Sequence, residues 1–413
     1  MVSYRDLLRK VEVRNMLKDK IKKLANTNHE EVVAIRRHLH QYPELSFEEE
    51  QTSQYIGQQL KAFGIPYEDG IAGHGLVGLI KGQNPGKKVI ALRADMDALP
   101  ILEANDVPYK SKHEGVMHAC GHDVHTSSLL GAAKILNTLK NELEGTIKLI
   151  FQPAEERLPG GASLMIAEGV LQNPAPTGIF GQHVHPPLEA GKVGFRPGRY
   201  MGSADELYLT VTGKGGHGAL PHDCIDPILI TAQIITGLQQ LVSRNADPTI
   251  PSVLTFGRIN STGGATNIIP NEVKLLGTFR TMDEKWRFEA HRRLRQMVEG
   301  IAASMGAKAE LEIMVGYPTL FNDEVLTVKA RQYAVDYLGQ ENVVDLPVRL
   351  TAEDFAYYSQ KMPACFYRLG TGNAAKGITS PVHTNTFDID EDCLELSTGL
   401  MAWLAVKELE AVG

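Results

Sequence analysis

Residues 117–125 read MHACGHDVH, and this stretch decides how the surrounding chain is interpreted. Cys120 and His122 supply a thiolate and an imidazole two positions apart, which are ligand types that zinc and related metals prefer. Apolar residues with helical spacing follow, so the stretch is predicted to lie at the start of a helix that Asp123 caps. Taken alone, the same residues also fit a buried free cysteine beside surface histidines. The rest of the chain has to decide between these interpretations.

The composition is that of an ordinary globular protein. The chain has 413 residues, of which 43% are hydrophobic and 22% charged, and this length favours two or three domains. A formal net charge of −7 gives no basic field, so nucleic acid is not an expected partner. The sequence has no apolar run of the roughly 20 residues that a membrane span needs, and the charged N-terminus lacks the apolar core of a signal peptide. We therefore expect a cytoplasmic protein with no membrane partner.

The cysteines support the same compartment. They are scattered rather than spaced as a disulfide framework, which fits reduced thiols. They are Cys120, Cys224, Cys365 and Cys393.

Three short apolar segments each run into residues that can bind metals or carry protons. These are residues 87–93 before Asp95 and Asp97, residues 146–151 before Glu155 and Glu156, and residues 178–180 before His183 and His185. Open α/β sheets collect ligand sites outside the carboxyl ends of their strands. Two carboxylates at the tip of a buried strand are also costly unless they are paired or near a metal. The pattern predicts a metal site at that edge, and two adjacent glutamates there fit a metal ligand beside a general base.

Two helices are predicted to have a solvent-facing side. Residues 31–40 form a helix that Pro43 ends, and the basic residues 36–40, taken alone, indicate a solvated face. Residues 393–409 are predicted to form an amphipathic helix that packs on the first domain.

Residues 201–315 are predicted to form a second domain, inserted into a first domain of residues 1–200 and 316–413. Its strands are predicted at 207–212, 252–259, 272–282 and 308–315, and its helices at 227–244 and 283–305. This β-α-β-β-α-β order is that of a ferredoxin-like unit. A glycine-rich loop at 213–218 contains His217 but lacks the spacing of a nucleotide-binding fingerprint. Asn267 and Arg280, each seen alone, are more consistent with structural roles.

Together these motifs resemble the aminoacylase/carboxypeptidase family of dinuclear metallopeptidases. The similarity extends over nearly the whole chain and is closest to the branch of N-acyl-L-amino-acid amidohydrolases, hippurate hydrolases and indoleacetyl–amino acid hydrolases. Its markers are residues 36–40, 93–100, 117–123, 151–156, 213–218 and 353–355. The resemblance implies a zinc-peptidase-like α/β catalytic domain, with a mixed sheet flanked by helices. It also implies an inserted ferredoxin-like α+β domain that acts as a lid and usually dimerises.

The resemblance also implies the roles of individual residues. Two divalent ions would be held by Cys120, His122, Glu156, His183 and His383. Zinc is favoured, and manganese, cobalt or nickel are alternatives. Glu155 matches the general base, and Asp97 matches a carboxylate near the metals that orients a ligand or the base. His217, Asn267 and Arg280 match lid residues that hold the substrate, with His217 reaching across from the partner of a homodimer. The choice of His183 over His185 follows the family pattern alone.

The predicted function is a metal-dependent amidohydrolase that cleaves N-acyl amino acids into a carboxylate and a free amino acid. The alternatives are a metallodipeptidase or carboxypeptidase of the same family, a thiol hydrolase with Cys120 as nucleophile and His122 or His125 as base, and an inactive binding protein. The sequence departs from the family at Thr351-Ala352, where two glycines are usual, and after Glu156, where no glycine run follows. Neither departure removes a predicted ligand.

Overall fold

The computed structural model describes the main chain of residues 4–411 and the side chains of residues 16–411. The charged side chains between residues 5 and 14, on which the argument against a signal peptide depends, lie outside the described side chains. The helices are α1 (Tyr4–Gln41), α2 (Glu50–Ala62), α3 (His122–Thr138), α4 (Gly161–Ala167), α5 (Pro227–Gln240), α6 (Glu284–Ser304), α7 (Glu324–Leu338), α8 (Ala356–Ser359) and α9 (Cys393–Glu410).

The strands alternate with these helices over most of the chain. They are β1 (Tyr67–Ile71), β2 (Gly75–Lys81), β3 (Val89–Asp95), β4 (Thr146–Gln152), β5 (Gly178–Glu189), β6 (Val193–Phe195), β7 (Gly198–Met201), β8 (Asp205–Thr212), β9 (Gly216–His217), β10 (Ser252–Ser261), β11 (Ile268–Ile269), β12 (Glu272–Thr281), β13 (Lys308–Val315), β14 (Leu320–Asn322), β15 (Val343–Asp345) and β16 (Ala364–Gly372).

The chain divides into two compact units, and unit 1 contains a mixed sheet. Unit 1 comprises residues 4–198, 321–347 and 357–411. Its sheet has the strand order β1-β2-β4-β3-β5-β16-β6-β15. The four adjacent strands β4, β3, β5 and β16 run parallel, so their carboxyl ends lie at one edge. The predicted mixed sheet flanked by helices is confirmed, and it creates the edge at which a ligand site is expected.

Helices α1, α3 and α9 of unit 1 pack against one another, and α3 and α9 also pack against the sheet. Helix α9 is buried around nearly its whole circumference, because it contacts α1, α3, α7 and the strands β3 and β16. The prediction of an amphipathic helix at 393–409 is therefore wrong in its solvent-facing side. A helix that is buried on nearly all sides is a core helix.

The predicted strands that lead to the site are present, with one difference in length. Strands β3 and β4 end within two residues of their predicted limits. Strand β5 was predicted at 178–180 but continues to Glu189, because β16 pairs with it in parallel along most of that length. His183 therefore lies within a strand rather than after it.

Unit 2 comprises residues 199–320 and 348–356 and contains an antiparallel sheet of order β10-β12-β8-β13. Helices α5 and α6 pack against each other and against this sheet. The chain order of the long elements is the predicted strand-helix-strand-strand-helix-strand order. The predicted helix at 227–244 is α-helical to Gln240 and then continues as a π-helical turn. The exact domain limits of 200/201 and 315/316 stay a prediction.

A buried ionic cluster connects the beginning and the end of the sheet in unit 2. Asp205, the first residue of β8, accepts hydrogen bonds from the Nε atom of Arg287 at 3.0 Å and from the main-chain N of Gly316 at 3.1 Å. Nε2 of His291 lies 2.7 Å from the same carboxylate. Because Gly316 directly follows β13, the cluster fixes the entry and the exit of this part of the chain.

Candidate metal centre

Residues from five segments of unit 1 meet at the carboxyl edge of the parallel strands. Asp95 ends β3, the pair at 155–156 follows β4, His183 lies in β5, and His383 lies in the loop after β16. The segment 120–122 adds two more groups at the start of α3. The sheet topology thus converts residues scattered over more than 260 positions into one cluster.

The five predicted metal ligands belong to this one cluster. The Sγ atom of Cys120 lies 3.5 Å from Nε2 of His183 and 3.3 Å from Nε2 of His383. Oε1 of Glu156 lies 3.2 Å from Nε2 of His383 and 4.0 Å from Nε2 of His122. The potential ligand atoms form overlapping groups, one of Cys120 with the histidines 122 and 183 and another of Cys120 with Glu156 and His383, with each group's atoms within 4.8 Å of one another. Two overlapping sets of soft and hard donors fit two adjacent ions.

Atoms without a hydrogen-bond partner identify the positions that a metal would satisfy. Nε2 of His122 and Oε1 of Glu156 are buried and make no hydrogen bond, although Oε1 of Glu156 lies within ion-pair distance of Nε2 of His383. Buried polar atoms in folded proteins are nearly always paired, so such atoms need an explanation. The donor set of thiolate, imidazole and carboxylate fits divalent transition metals. The residues present therefore fit the two-metal centre that the resemblance implies.

The hydrogen bonds of the histidines orient their free nitrogens towards the cluster. Nδ1 of His183 donates to the carbonyl of Val184 at 2.8 Å, since that oxygen can only accept. Nδ1 of His122 lies 3.1 Å from Oδ1 of Asp97. In both rings Nε2 is left as the potential ligand atom. Metal-binding histidines commonly have this support from a carbonyl or a carboxylate.

The charges around the cluster are predominantly negative. Burial raises the pKa of the Cys120 thiol well above its usual range, and the charges of Glu156 and Glu155 add to this effect. Burial alone would lower the pKa of His122, but the charges of Asp95 and then the hydrogen bond and charge of Asp97 raise it to about 10. The buried carboxylates therefore contribute to raising both pKa values. Divalent cations would compensate this negative charge and would compete with protons for the same atoms.

Asp97 is held by three donors. It accepts hydrogen bonds from the Ser46 hydroxyl at 2.6 Å, from the Glu156 main-chain N at 3.0 Å and from His122. Burial alone would raise the pKa of Asp97, yet the hydrogen bond and the charge of His122, with help from Ser46, lower it. An ionised carboxylate in this position orients His122 and the main chain next to Glu155.

A second set of buried charges fixes the start of α3. Oδ2 of Asp123 accepts a hydrogen bond from Nε of Arg36 and lies near Nδ1 of His40, both at 2.8 Å. Arg36 also donates to Asp388, in the segment that follows His383, at 3.0 Å. The predicted capping role of Asp123 is therefore wrong. The N-cap is Gly121, and Asp123 instead pairs with helix α1.

Gly121 is needed for its shape. Its φ is 80°, a left-handed conformation, and a Cβ atom there would lie 2.7 Å from Cγ2 of Val184. Only glycine takes both the conformation and the close contact without strain. The residue between the two ligands of the MHACGHDVH stretch is thus determined by the packing of β5.

The amino-acid sequence matches the model of a protein family and several known relatives. Residues 91–406 match the sequence model of peptidase family M20/M25/M40. The chain belongs to peptidase family M20. Its relatives include an N-acyl-L-amino acid amidohydrolase of Geobacillus stearothermophilus, 44% identical over 74% of this chain and 82% of that protein. Thermostable carboxypeptidase 1 of Saccharolobus solfataricus is 41% identical over 91% of this chain and 95% of that protein.

A solved structure has the same fold. The YXEP protein of Bacillus subtilis, described as a dinuclear metal binding peptidase of the M20 family, matches with a TM-score of 0.81 at 36% identity. The match covers 94% of this chain and 100% of that one. The predicted family and fold class are confirmed, and so is the predicted reaction class, metal-dependent hydrolysis of an amide bond. No helix among the described residues is long and apolar enough to cross a membrane.

The M20 chain places its three predicted substrate-binding residues in unit 2. His217 is exposed and pairs with Ile268 in the short ribbon of β9 and β11, and the main-chain N of Gly218 donates to the carbonyl of Asn267 at 2.7 Å. His217 and Asn267 are therefore neighbours. Arg280 lies in β12, and its Nη1 atom donates to the Leu350 carbonyl at 3.0 Å. Their roles in substrate binding stay predictions.

The thiol-hydrolase alternative with His125 as base does not fit the M20 site. A nucleophilic cysteine needs a thiol pKa lowered by its surroundings, and that of Cys120 is raised. His125 is also committed elsewhere: Nδ1 contacts Oδ1 of Asp95 at 2.5 Å and Nε2 accepts from the Val184 main-chain N at 2.9 Å. With both ring nitrogens occupied, His125 cannot serve as a base for Cys120.

Sequence reasoning missed two residues of this M20 site and left one choice open. Arg36 and His40, interpreted alone as part of a solvated face, are fully buried. Their i, i+4 spacing places both on one side of α1, which is the available signal. Of the two histidines in β5, His183 belongs to the groups of ligand atoms and His185 does not.

Proposed function

We propose that this protein hydrolyses N-acyl amino acids to a carboxylate and a free amino acid, with two divalent ions held by Cys120, His122, Glu156, His183 and His383. The proposal rests on one observation: these side chains form a single cluster, in which two buried potential ligand atoms make no hydrogen bond. The names of the relatives, an N-acyl-L-amino acid amidohydrolase and an N-acetyl-L-cysteine deacetylase of Bacillus subtilis, support the substrate class.

The metals would supply what amide hydrolysis needs, a water of lowered pKa and a polarised carbonyl. Thiolate and imidazole ligands favour zinc, while manganese, cobalt and nickel accept the same donor set. The raised pKa of the Cys120 thiol means that metal binding would have to release its proton.

Glu155 is the proposed general base. Its side chain is buried, 6% exposed, and its carboxylate belongs to a group of possible ligand atoms with His122 and Glu156. It would take a proton from the attacking water and return it to the leaving amine. Asp97 is excluded from that task because its oxygens are engaged by Ser46, His122 and the Glu156 amide.

Unit 2 would act as the lid that holds the substrate. His217 would donate a hydrogen bond to the tetrahedral oxyanion, because its Nδ1 accepts from the Ala219 main-chain N at 3.1 Å and its Nε2 therefore carries the proton. Arg280 would bind the carboxylate of the amino acid through its guanidinium fork, which the Leu350 carbonyl orients, and Asn267 would assist it.

A homodimer through unit 2 is part of the proposal. Strand β10 is at the edge of its sheet, and exposed edges invite pairing with another chain. Ile259 on this strand and Ile228 and Leu229 on α5 are exposed apolar side chains. Sedimentation of the protein should give the mass of a dimer, and Ile259→Lys should lower the measured mass.

We also place the protein in the cytoplasm, since all four cysteines are free thiols.

The test combines a substrate panel with replacement of the base. The metal-free enzyme is reloaded with zinc, manganese or cobalt and assayed on N-acetyl, N-benzoyl and N-indoleacetyl amino acids and on dipeptides. Glu155→Gln should keep two ions per subunit and lose roughly 10²- to 10⁴-fold in turnover. The matched control is Glu48→Gln, an exposed glutamate outside the site. Wild-type turnover by Glu155→Gln would remove this residue from the mechanism.

A second candidate function is that of a metallocarboxypeptidase or dipeptidase. The relative named thermostable carboxypeptidase 1, which matches over 95% of its length, favours it. The same panel decides, because a higher kcat/KM on dipeptides than on every N-acyl amino acid would select the peptidase.

A further inference from the structure

Glu49 is a buried carboxylate that the proposed mechanism does not use. It precedes helix α2 as the N-cap residue, but its side chain makes no capping hydrogen bond. The residue is fully buried, and one carboxylate oxygen, Oε2, has no hydrogen-bond partner. Burying such a group is costly, so its retention in place of an apolar side chain needs a specific contact.

That contact is with the main chain beside the proposed base. Oε1 of Glu49 accepts a hydrogen bond from the main-chain N of Ala154 at 2.7 Å. Ala154 has a φ of 51°, a left-handed conformation that is unfavourable for a residue other than glycine. Its carbonyl accepts from the Gly161 main-chain N at 2.9 Å. Both polar groups of this strained residue are therefore held, and the next residue along the chain is Glu155.

The same segment also reaches the other side of Glu155. Ser46, three positions before Glu49, donates to Oδ2 of Asp97 at 2.6 Å, and that oxygen accepts the main-chain N–H of Glu156 at 3.0 Å. The segment is itself tied to the sheet region, because the main-chain N of Ala98 donates to the Glu44 carbonyl at 2.8 Å. Ser46 and Glu49 thus support the chain on both sides of the proposed base, and Glu49 lies 105 positions before Ala154 in the sequence.

We propose that Glu49 is a positioning residue for amide hydrolysis, which acts by holding the left-handed Ala154 peptide so that the Glu155 carboxylate keeps its direction towards the attacking water. The inference rests on the proposed role of Glu155 as general base. Loss of the acceptor would let the turn relax, and a displacement of about 1 Å at a reacting group can cost roughly 100-fold in rate.

The experiment compares three variants with the wild type, using the panel compound that the zinc-loaded enzyme hydrolyses fastest. Glu49→Met keeps the length of the side chain without an acceptor, Glu49→Gln keeps an acceptor oxygen, and Glu48→Met is the exposed neighbouring control. We expect Glu49→Met to lower kcat about 10- to 100-fold with KM within about threefold and two ions per subunit. Glu49→Gln should recover most of that loss, and Glu48→Met should match the wild type.

Three outcomes overturn the proposal: a wild-type kcat for Glu49→Met, an equal loss in Glu49→Met and Glu49→Gln, or a loss that follows metal content instead of kcat. If Glu49→Met does not fold, Glu49→Asp takes its place, because its carboxylate is one methylene short of Ala154 and should show the same loss. Measuring Glu155→Gln in parallel distinguishes a failure of the proposed general base from a failure of the proposed role of Glu49. An active Glu155→Gln refutes the proposed base, whereas an inactive one beside a fully active Glu49→Met refutes only the role of Glu49.

Discussion

Units 1 and 2 each bury an aspartate that is paired with an arginine and a histidine, and the two clusters differ in what surrounds them. In unit 1, Asp123 lies 2.8 Å from Arg36 and from His40, and the Arg36 side chain is fully buried. One oxygen of Asp123 has no partner. The residue before it is His122, whose Nε2 is also unpartnered.

The cluster in unit 2 is complete. Both oxygens of Asp205 are engaged, by Arg287, by His291 and by the main-chain N of Gly316. None of its residues is adjacent in sequence to a predicted metal ligand. The comparison shows that burial and ionic pairing alone do not distinguish the two clusters, since the same residue types are fully paired in unit 2. Unit 1 differs because a potential metal-ligand atom beside its cluster, Nε2 of His122, makes no hydrogen bond.

Removal of a histidine from each region should give the largest contrast. His122→Ala should lower turnover by at least about 10⁴-fold, because it removes a proposed ligand and with it the support of the attacking water. His291→Ala should keep both ions and, below its melting temperature, turnover within about twofold of the wild type. Elemental analysis and kcat/KM measure both. A loss of metal in His291→Ala would erase the distinction between the two clusters.

Removal of the arginines should destabilise both regions but affect metal binding in only one. Arg36→Met and Arg287→Met each leave a buried carboxylate without its main partner, which typically costs about 3–5 kcal/mol of unfolding free energy. Arg36→Met should in addition weaken metal affinity roughly 10- to 100-fold, because Arg36 holds the segments next to His122 and His383. Denaturant titration and metal titration check the two parts. Equal metal affinities in the two variants would contradict the prediction.

The contribution of Asp205 in unit 2 to the free energy of unfolding should fall at acid pH. Burial alone would raise the pKa of Asp205, but the hydrogen bonds of His291 and Arg287 lower it below its usual range. A carboxyl group of lowered pKa stabilises the fold above its unfolded pKa of about 3.9, and this stability is lost as the pH falls through the folded value. Asp205→Asn should therefore be less stable than the wild type at pH 6, with the difference shrinking below pH 4. Denaturation midpoints at several pH values test this, and a constant difference would oppose it.

The smallest effect is expected on the surface of unit 2. Glu289 accepts hydrogen bonds from Arg292 at 2.6 Å and from Arg293 at 2.7 Å, but all three side chains are at least one-third exposed. Exposed ion pairs contribute little because water screens them and the side chains lose freedom. Glu289→Gln should leave the melting temperature unchanged within error. A decrease in stability as large as that of Arg287→Met would mean that burial does not determine how much an ion pair contributes to stability.

Local patterns in the sequence predicted three strands that lead to the site, the order of elements in unit 2 and a metal site at the edge of the parallel strands, whereas the mixed sheet was implied by the family resemblance. Short apolar runs that end in Asp97, Glu155 and Glu156 have a direct physical meaning at the edge of a parallel sheet. The five ligands were named from the family pattern, and the structure brings them together in one cluster.

The features that could not be predicted depend on contacts between distant parts of the chain. Whether Arg36 is solvated or buried depends on Asp123, 87 positions away, and the contact of Glu49 with Ala154 spans 105 positions. The length of β5 depends on its pairing with β16, and a single sequence does not reveal that pairing. Local propensity has no information on any of these contacts, so a polar helix face or a short strand is the natural but wrong expectation.

The position of β16 and α9 within unit 1 has a consequence for synthesis on the ribosome. All strands of the antiparallel sheet in unit 2 lie between residues 205 and 315, whereas the mixed sheet of unit 1 needs β16 and the core needs the buried helix Cys393–Glu410. A nascent chain that has emerged to residue 320 can therefore close the sheet of unit 2 while unit 1 still exposes apolar surface. During that interval the incomplete unit is the part that chaperones would recognise.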